Sequence, residues 1–329
     1  MTWGDWCERW WPTRRIEAST AANEEAMVQK HISPQWIDVQ LGQIRRGHVQ
    51  GWVNKLVSDG TLKASSVRRV LNVFVSSLTP SVAEGILEAN PAAGVSITLE
   101  DPEHVFLTRE QFKALIESVG TDKVPRSKRR KPFEPDYHAQ AVISFLVATG
   151  LRWGELAGLH WEQLTETSVT VKNVVSAGEI KPYPKGKKQR VVPLPGWARR
   201  LITWEDDGAQ PLPYRTGMRR PKTGLVFTGP TGAALDDRNF TRQKLNPALK
   251  RAELAHLGFT LHDLRHTYAS WLIQDGVRLE QISALLGHAS WKTTQIYAHL
   301  VPGQDENLSK ALRDPFAPEL TVLEGGAAG

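Results

Sequence analysis

Apolar residues recur at helical spacing through the first hundred positions. Ile44, Val49, Val53, Leu56 and Val57 fall near one face of a helix, and so do Val67, Val70, Leu71, Phe74 and Leu78. The stretch from Thr20 to Lys30 has helix-forming composition. A further short helix is expected from about Ser81 to Glu88, stopped by Asn90-Pro91. An apolar stripe must bury itself against a neighbour, so these segments predict a small helical bundle over residues 1–98.

The helical period then lapses, and residues 99–106, which include Asp101-Pro102-Glu103-His104, read as a linker. A new element opens at Thr108, where Gln111 three residues on completes a capping box ahead of Phe112, Leu115 and Ile116. From there the pattern is mixed. Ala139 to Leu159 is apolar with a break at Thr149-Gly150. Ser168 to Val175 and Gln189 to Leu194 are β-rich, and the Pro/Gly/Lys segment between them predicts a hairpin with a long loop. Helical spacing returns from Asp236. The expected fold is mainly α with a small β-hairpin or sheet: a helical domain over 1–98, a second domain over 107–315, and a flexible tail over 316–329 ending in Gly-Gly-Ala-Ala-Gly.

Composition narrows the picture. A chain of 329 residues suits two domains, and its 40% hydrophobic content is ordinary for globular proteins. No run approaches the roughly 20 apolar residues that span a bilayer, and no secretory leader is visible, so a cytoplasmic location is expected. The single cysteine, Cys7, excludes an internal disulfide and a Cys-based zinc site. Most of the twelve tryptophans read as core anchors. The net charge of +6 falls entirely in residues 101–329, because residues 1–100 hold 10 Lys/Arg against 10 Asp/Glu. A basic second domain favours a polyanionic partner, though weakly.

Five segments carry candidate chemistry. In Ala148-Thr149-Gly150-Leu151-Arg152-Trp153-Gly154-Glu155, an apolar helix ends at Gly150, and Arg152 and Glu155 share a face of the next turn. In Lys185-Gly186-Lys187-Lys188-Gln189-Arg190, a lysine-rich turn leads into a strand. In Leu261-His262-Asp263-Leu264-Arg265-His266, His262 and Arg265 point the same way on a helix, which suits a phosphate. In Leu285-Leu286-Gly287-His288, Gly287 suits a helix C-terminus with His288 just beyond it. Tyr297 follows nine residues later. Each alone has a plain structural reading: a surface ion pair, a solvated loop, a polar helix face, a helix cap, a core tyrosine. In this order they make a set able to handle a phosphodiester.

That ordered set resembles the tyrosine recombinases of the phage-integrase kind. The family carries an Arg in a T-G-x-R-x-x-E context, a Lys on a β-hairpin within K-G-x-K-x-R-x-x-P-L, an H-x-x-R helix, a His or Trp after L-G, and a nucleophilic Tyr. Arg152, Lys185, His262 with Arg265, His288 and Tyr297 match these positions. The resemblance is strong over residues 105–300 and rests on position and pattern alone over 1–100, where it implies a core-site DNA-binding domain. It implies strand cleavage by Tyr297 to a 3′-phosphotyrosine and a free 5′-hydroxyl, with the bond energy stored for rejoining. Arg152 and Arg265 would grip the non-bridging oxygens. His262 would assist deprotonation of Tyr297, Lys185 would protonate the leaving oxygen, and His288 would hydrogen-bond the phosphate. Glu155 would orient the arginine from behind. Neither a metal nor another cofactor is expected, and no acidic cluster of the D-x-D type is present.

Candidate DNA contacts are Lys63, Ser65, Arg68 and Arg69 at the start of one helix, Arg45 and Arg46 on another, and Lys187 and Lys188 beside Lys185. Lys128, Arg129 and Arg130 belong to a basic run, Lys123 to Lys131, that cannot pack in a core. The resemblance further implies double-stranded attachment-site DNA as partner, a tetramer on two duplexes, accessory DNA-bending or directionality factors, and no membrane. The helical pattern begins almost at residue 1, so no arm-site DNA-binding domain is expected within these residues: either the chain is of a compact type or its start is trimmed. The alternatives are a chromosome or plasmid resolvase of the Xer kind, a relaxing topoisomerase, and a silent DNA-binding regulator. The last is disfavoured because all six core positions are present.

Overall fold

In the computed structural model the residues described are 1–99, 104–121, 134–182, 189–202, 224–288, 290 and 292–300. The chain divides into two compact units, one through Glu103 and one from His104 onward.

The first unit is all helical. Helix α1 (Trp3–Trp10) is followed by α2 (Ala18–Met27), which runs through a π-helical turn, Val28–Ile32, into α3 (Ser33–Trp36). Then come α4 (Arg46–Ser58) and α5 (Ala64–Ala83). Helix α1 lies outside the periodic segments identified above. It is set by Thr2, whose hydroxyl accepts from the Asp5 amide while the Asp5 carboxylate accepts from the Thr2 amide. It buries Trp3, Trp6 and Trp10, spaced to share one face. The indole N–H groups of Trp3 and Trp6 donate to the hydroxyl and the carbonyl of Ser77 on α5, at 2.9 and 2.6 Å. Trp3, Trp36, Trp52 and Phe74 stack or meet edge to face at ring separations of 5.0–5.8 Å. Trp3, Trp6, Trp10, Trp36 and Trp52 are thus core anchors here, whereas Trp197 of the second unit is exposed.

The separate helix expected over Ser81–Glu88 does not form. Helix α5 instead continues through Pro80 to Ala83. Proline removes one helical donor, the one that would serve the Ser76 carbonyl, and the helix bears this loss next to a point where other side chains hold it. Just before the proline, the Thr79 hydroxyl and the Asn90 side-chain amide both donate to the Val75 carbonyl. Asn90 therefore braces α5 rather than closing another helix.

The second unit opens at the segment expected to be linker. The Leu107 side chain is buried, its amide donates to the Thr267 hydroxyl, and its carbonyl accepts from the Trp271 indole. The chain continues through α6 (Arg109–Glu117), begun by the predicted Thr108/Gln111 capping box, and a short pairing of β1 (Gly120–Thr121) with β2 (Glu134–Pro135). Helices α7 (Tyr137–Thr149) and α8 (Trp153–Ala157) follow. Strand β3 (Ser168–Val171) pairs antiparallel with β6 (Arg190–Pro193), Val171 opposite Arg190. The intervening stretch was expected to be a long loop. It contains a second hairpin, β4 (Val174–Ser176) against β5 (Glu179–Lys181). The rest is α9 (Gly196–Arg200), α10 (Asp237–Phe240), α11 (Asn246–Arg251), α12 (Asp263–Gln274), α13 (Leu279–Leu286) and α14 (Lys292–Gln295). The core centres on α7, which is buried along nearly its whole length and packs against α12. Ten of its residues are buried, the mark of a central helix rather than an amphipathic surface one.

Candidate active site

The site is built from helix ends. Helix α7 stops at Gly150, whose φ of 61° lies in the left-handed region. A Cβ there would fall 2.3 Å from Cδ1 of Tyr268 on α12, so this close crossing of the two helices requires glycine. Two residues later Arg152 caps α8 in an extended conformation, and its amide donates to Glu155 at 2.8 Å. The Arg152 guanidinium reaches the same carboxylate at 3.1 Å and is 30% exposed, the open side of the site.

Glu155, 2% exposed, holds a second guanidinium. Arg190, the first residue of β6, donates from its two terminal nitrogens to the two oxygens of Glu155 at 2.8 and 2.6 Å, and from Nε to the Leu285 carbonyl at 2.9 Å. Burial opposes the charge on Glu155. The hydrogen bonds and charge of Arg190, then the amide and charge of Arg152, outweigh that cost and hold the carboxyl below its ordinary range. Helix α13 ends at Gly287, with a φ of 61°, where a Cβ would lie 2.9 Å from Cδ of Arg190.

Arg265 on α12 is 2% exposed. Its terminal nitrogens donate to the carbonyls of Gly150, at 2.8 Å, and Leu286. Both acceptors are at helix C-termini, where the backbone dipoles favour a cation. Burial first, and then the charges of Arg152 and Arg190, push its pKa down to about 9, so it stays charged at neutral pH. Among the described residues, three guanidinium groups thus gather at the Glu155 carboxylate, and Asp263 is a further carboxylate acting on His262, His266 and Tyr297. The excess positive charge favours an anion, and planar guanidinium forks match a phosphate.

The remaining side chains line the same centre. His262 caps α12 from a crowded cleft that leaves it exposed, and burial together with the charges of Arg265 and Arg152 lowers its pKa. His288 follows Gly287 and shares a 2.8 Å hydrogen bond between Nδ1 and the buried Thr294 hydroxyl. Burial, then Arg265 and Arg152, push its pKa down to about 4. The Tyr297 amide donates to the Thr294 carbonyl at 3.1 Å, so one threonine ties the His288 and Tyr297 segments together. Tyr297 is 1% exposed and lies in the turn after α14. Burial pushes its phenol up to about 12, partly offset by Arg265.

The partner of the Tyr297 hydroxyl is His266, whose Nδ1 lies 2.5 Å away. Sequence reasoning gave the proton-accepting role to His262. On α12 His266 is one turn further along, meets His262 edge to face at 5.0 Å, and is the ring bonded to the hydroxyl. The His104 ring packs on His266 at 4.8 Å and was not anticipated, because it lies in a segment without periodicity. Among the described residues no three His, Cys, Asp or Glu side chains converge as metal ligands would, and no helix is long and apolar enough to cross a membrane. Open grooves of about 720 and 540 Å³ flank the centre; Trp153 and Arg238 border both, Arg152 the first and His262 the second. A further groove of about 660 Å³ lies in the first unit beside Trp3 and Trp11, and the charged groups bordering it are the carboxylates of Asp5, Glu8, Glu25 and Asp38.

Comparison with known proteins decides what this arrangement belongs to. The model of the phage integrase family matches residues 106–303, and its N-terminal SAM-like domain matches residues 2–57. The chain belongs to the phage integrase family. It is therefore a tyrosine recombinase, an enzyme that cleaves and rejoins DNA. It is 31% identical over 255 residues to tyrosine recombinase XerC of Thermodesulfovibrio yellowstonii, covering 77% of this chain and 76% of that one. It is 28% identical over 299 residues to a XerC-like tyrosine recombinase of Caldanaerobacter subterraneus subsp. tengcongensis, covering 84% and 73%. The fold matches the Tn1549 transposon integrase, solved with transposon right-end DNA, with a TM-score of 0.74 at 16% identity over 95% of this chain and 99% of that one. It also matches a lambda integrase dimer bound to a core site, with a TM-score of 0.64 at 16% identity over 90% and 95%.

In this recombinase, three of the expected DNA contacts also make hydrogen bonds within the chain. Arg46 donates to the Gly94 carbonyl at 2.7 Å, and Arg68 to the Ile97 carbonyl at 3.0 Å, fastening the end of the first unit to α4 and α5. Arg45 bonds the carbonyls of Gly42 and Ile44 beside it. Lys63, Ser65 and Arg69 are exposed. Lys185, Lys187, Lys188, Lys128, Arg129 and Arg130 lie outside the described residues, as does the tail over 316–329.

Proposed function

We propose that this recombinase exchanges strands between specific double-stranded DNA sites in the course of integrating and excising a phage or other mobile element, with Tyr297 as the nucleophile. The observation that carries the reading is the shared centre of Arg152 and Arg265 beside Tyr297, backed by one buried carboxylate. Fixed cations aimed at a phosphorane supply the largest catalytic contribution in such chemistry, because they need no reorganisation as charge develops. Arg152 and Arg265 grip the non-bridging oxygens. His288 hydrogen-bonds one of them, and Lys185 protonates the departing 5′-oxygen. His262, at the mouth of the cleft, contacts the phosphate and the attacking group. Glu155 holds Arg152 in place.

The reaction conserves bond energy. The phenol oxygen displaces the 5′-oxygen at phosphorus, and the later attack of a 5′-hydroxyl regenerates the tyrosine. Four protomers on two duplexes, accessory DNA-bending factors and a cytoplasmic setting complete this reading. The test uses a nicked suicide substrate carrying the attachment site. Wild-type protein should form a covalent adduct whose labelled peptide contains Tyr297, and Tyr297→Phe should form none.

A second reading, a resolvase of chromosome or plasmid multimers, draws support from the XerC relatives that cover most of this chain. Recombination of directly repeated chromosomal sites in the absence of any mobile-element site would favour it.

A further inference from the structure

We propose that His266 is the group that takes the proton from the Tyr297 hydroxyl as that oxygen attacks the scissile phosphate. This rests on the reading of Tyr297 as the nucleophile. Their hydrogen bond, 2.5 Å from Nδ1 to the phenol oxygen, is the contact the hydroxyl makes among the described residues. His266 is placed for it by α12, which also carries Arg265 one residue before, so base and phosphate anchor share one rigid element.

The environment of His266 favours a neutral, accepting ring. It faces His104 from the segment ahead of α6, His262, Asp263 and Arg265 from α12, and Tyr297 itself. Burial and the neighbouring His262 and His104 push its pKa down to about 4, while Asp263 pulls the other way. A neutral imidazole bonded through Nδ1 to a phenol donor carries its own proton on Nε2. In the step, the phenol oxygen forms its bond to phosphorus, the bond from phosphorus to the 5′-oxygen breaks with that oxygen taking a proton from Lys185, and the phenolic proton passes to Nδ1, giving an imidazolium. The proton moves with the attack rather than before it, because a free phenoxide is disfavoured in this buried site. The arriving phosphodiester and the developing phosphorane add negative charge that stabilises the imidazolium. On rejoining, the same proton returns to the departing phenol oxygen.

His266→Asn and His266→Ala separate this role from simple docking. Asparagine still accepts a hydrogen bond from the phenol but takes no proton. Single-turnover cleavage of the suicide substrate is followed between about pH 6 and 9 with DNA binding measured in parallel. Wild-type cleavage should show no titration of its proton acceptor across this range. Both variants should bind DNA, cleave about 10²–10⁴-fold more slowly near neutrality, and speed up about tenfold per pH unit as phenoxide forms unaided. Wild-type rate and profile in His266→Asn would reduce His266 to a holder of the phenol and overturn the proposal. Loss of DNA binding in both variants would make it a residue of the fold and overturn it equally. Absence of any Tyr297 adduct from the wild type would instead overturn the nucleophile reading on which the proposal stands.

Discussion

Arg190 and Glu155, 35 residues apart in sequence, are joined by two parallel hydrogen bonds of 2.8 and 2.6 Å in a buried position. The pair connects β6 to α8, and through the Leu285 carbonyl to the end of α13. Arg190 thus holds in place the carboxylate that in turn holds Arg152.

Removing Glu155 leaves the Arg190 charge without its match, and removing Arg190 leaves the buried carboxylate with Arg152 alone. Arg190→Ala should destabilise the protein by about 3 kcal/mol, read from denaturant unfolding. Arg190→Lys should recover little of this, because an ammonium cannot reproduce the two-pronged contact. Unchanged stability in Arg190→Ala would mean that the pair is strongly screened.

Arg265→Lys tests the phosphate grip. A lysine cannot reach the Gly150 and Leu286 carbonyls and a phosphate oxygen together. Cleavage should fall about 10²–10³-fold with DNA affinity changed only slightly, read by single-turnover cleavage and electrophoretic shift. An equal loss of affinity and rate would place Arg265 in ground-state binding.

Thr294→Val removes the hydroxyl that bonds His288 Nδ1 while keeping the side-chain volume. The cost should be about 1–2 kcal/mol, or roughly a tenfold loss of cleavage if it falls on the reacting conformation. A wild-type rate would show that His288 needs no such anchor.

Stability should fall with acid in two windows. His266 and His288 have folded pKa values of about 4, below the ordinary 6.5, so the unfolded chain binds more protons between those values. Their contribution is complete above pH 6.5 and is lost as pH falls toward 4. Glu155 is also depressed, from 4.5, so its contribution is complete above that value and disappears below it. Unfolding measured against pH should show the first decline reduced in His266→Asn. An identical profile would mean that His266 keeps an ordinary pKa in the fold.

Much of the site was legible where chemistry is local. The break at Gly150, the Arg152/Glu155 pairing three residues apart and the cap at Gly287 all follow from helix geometry, and the structure has each. His266 was equally legible, four residues after His262 on one helix face, but the H-x-x-R pattern drew attention to the first histidine. Arg190 stood in the quoted strand motif without a role, because no local period announces a contact across 35 residues. His104 carried no signal, since its place is set by Leu107 docking on α12. Helix α1 could have been found from Thr2, Asp5 and its tryptophan spacing. The continuity of α5 through Pro80 could not, because proline reads locally as a stop and the contact of Asn90 with α5 is made across 15 residues.

Arg265 takes its two main-chain partners from the ends of different helices, α7 and α13. A shift of about 1 Å between those ends stretches one of the two bonds beyond useful length and swings the fork away from its aim. The cation is therefore presented in cutting geometry only when the surrounding helices are fully packed. A partly unfolded copy keeps every reactive side chain and still lacks the aim needed to cut DNA.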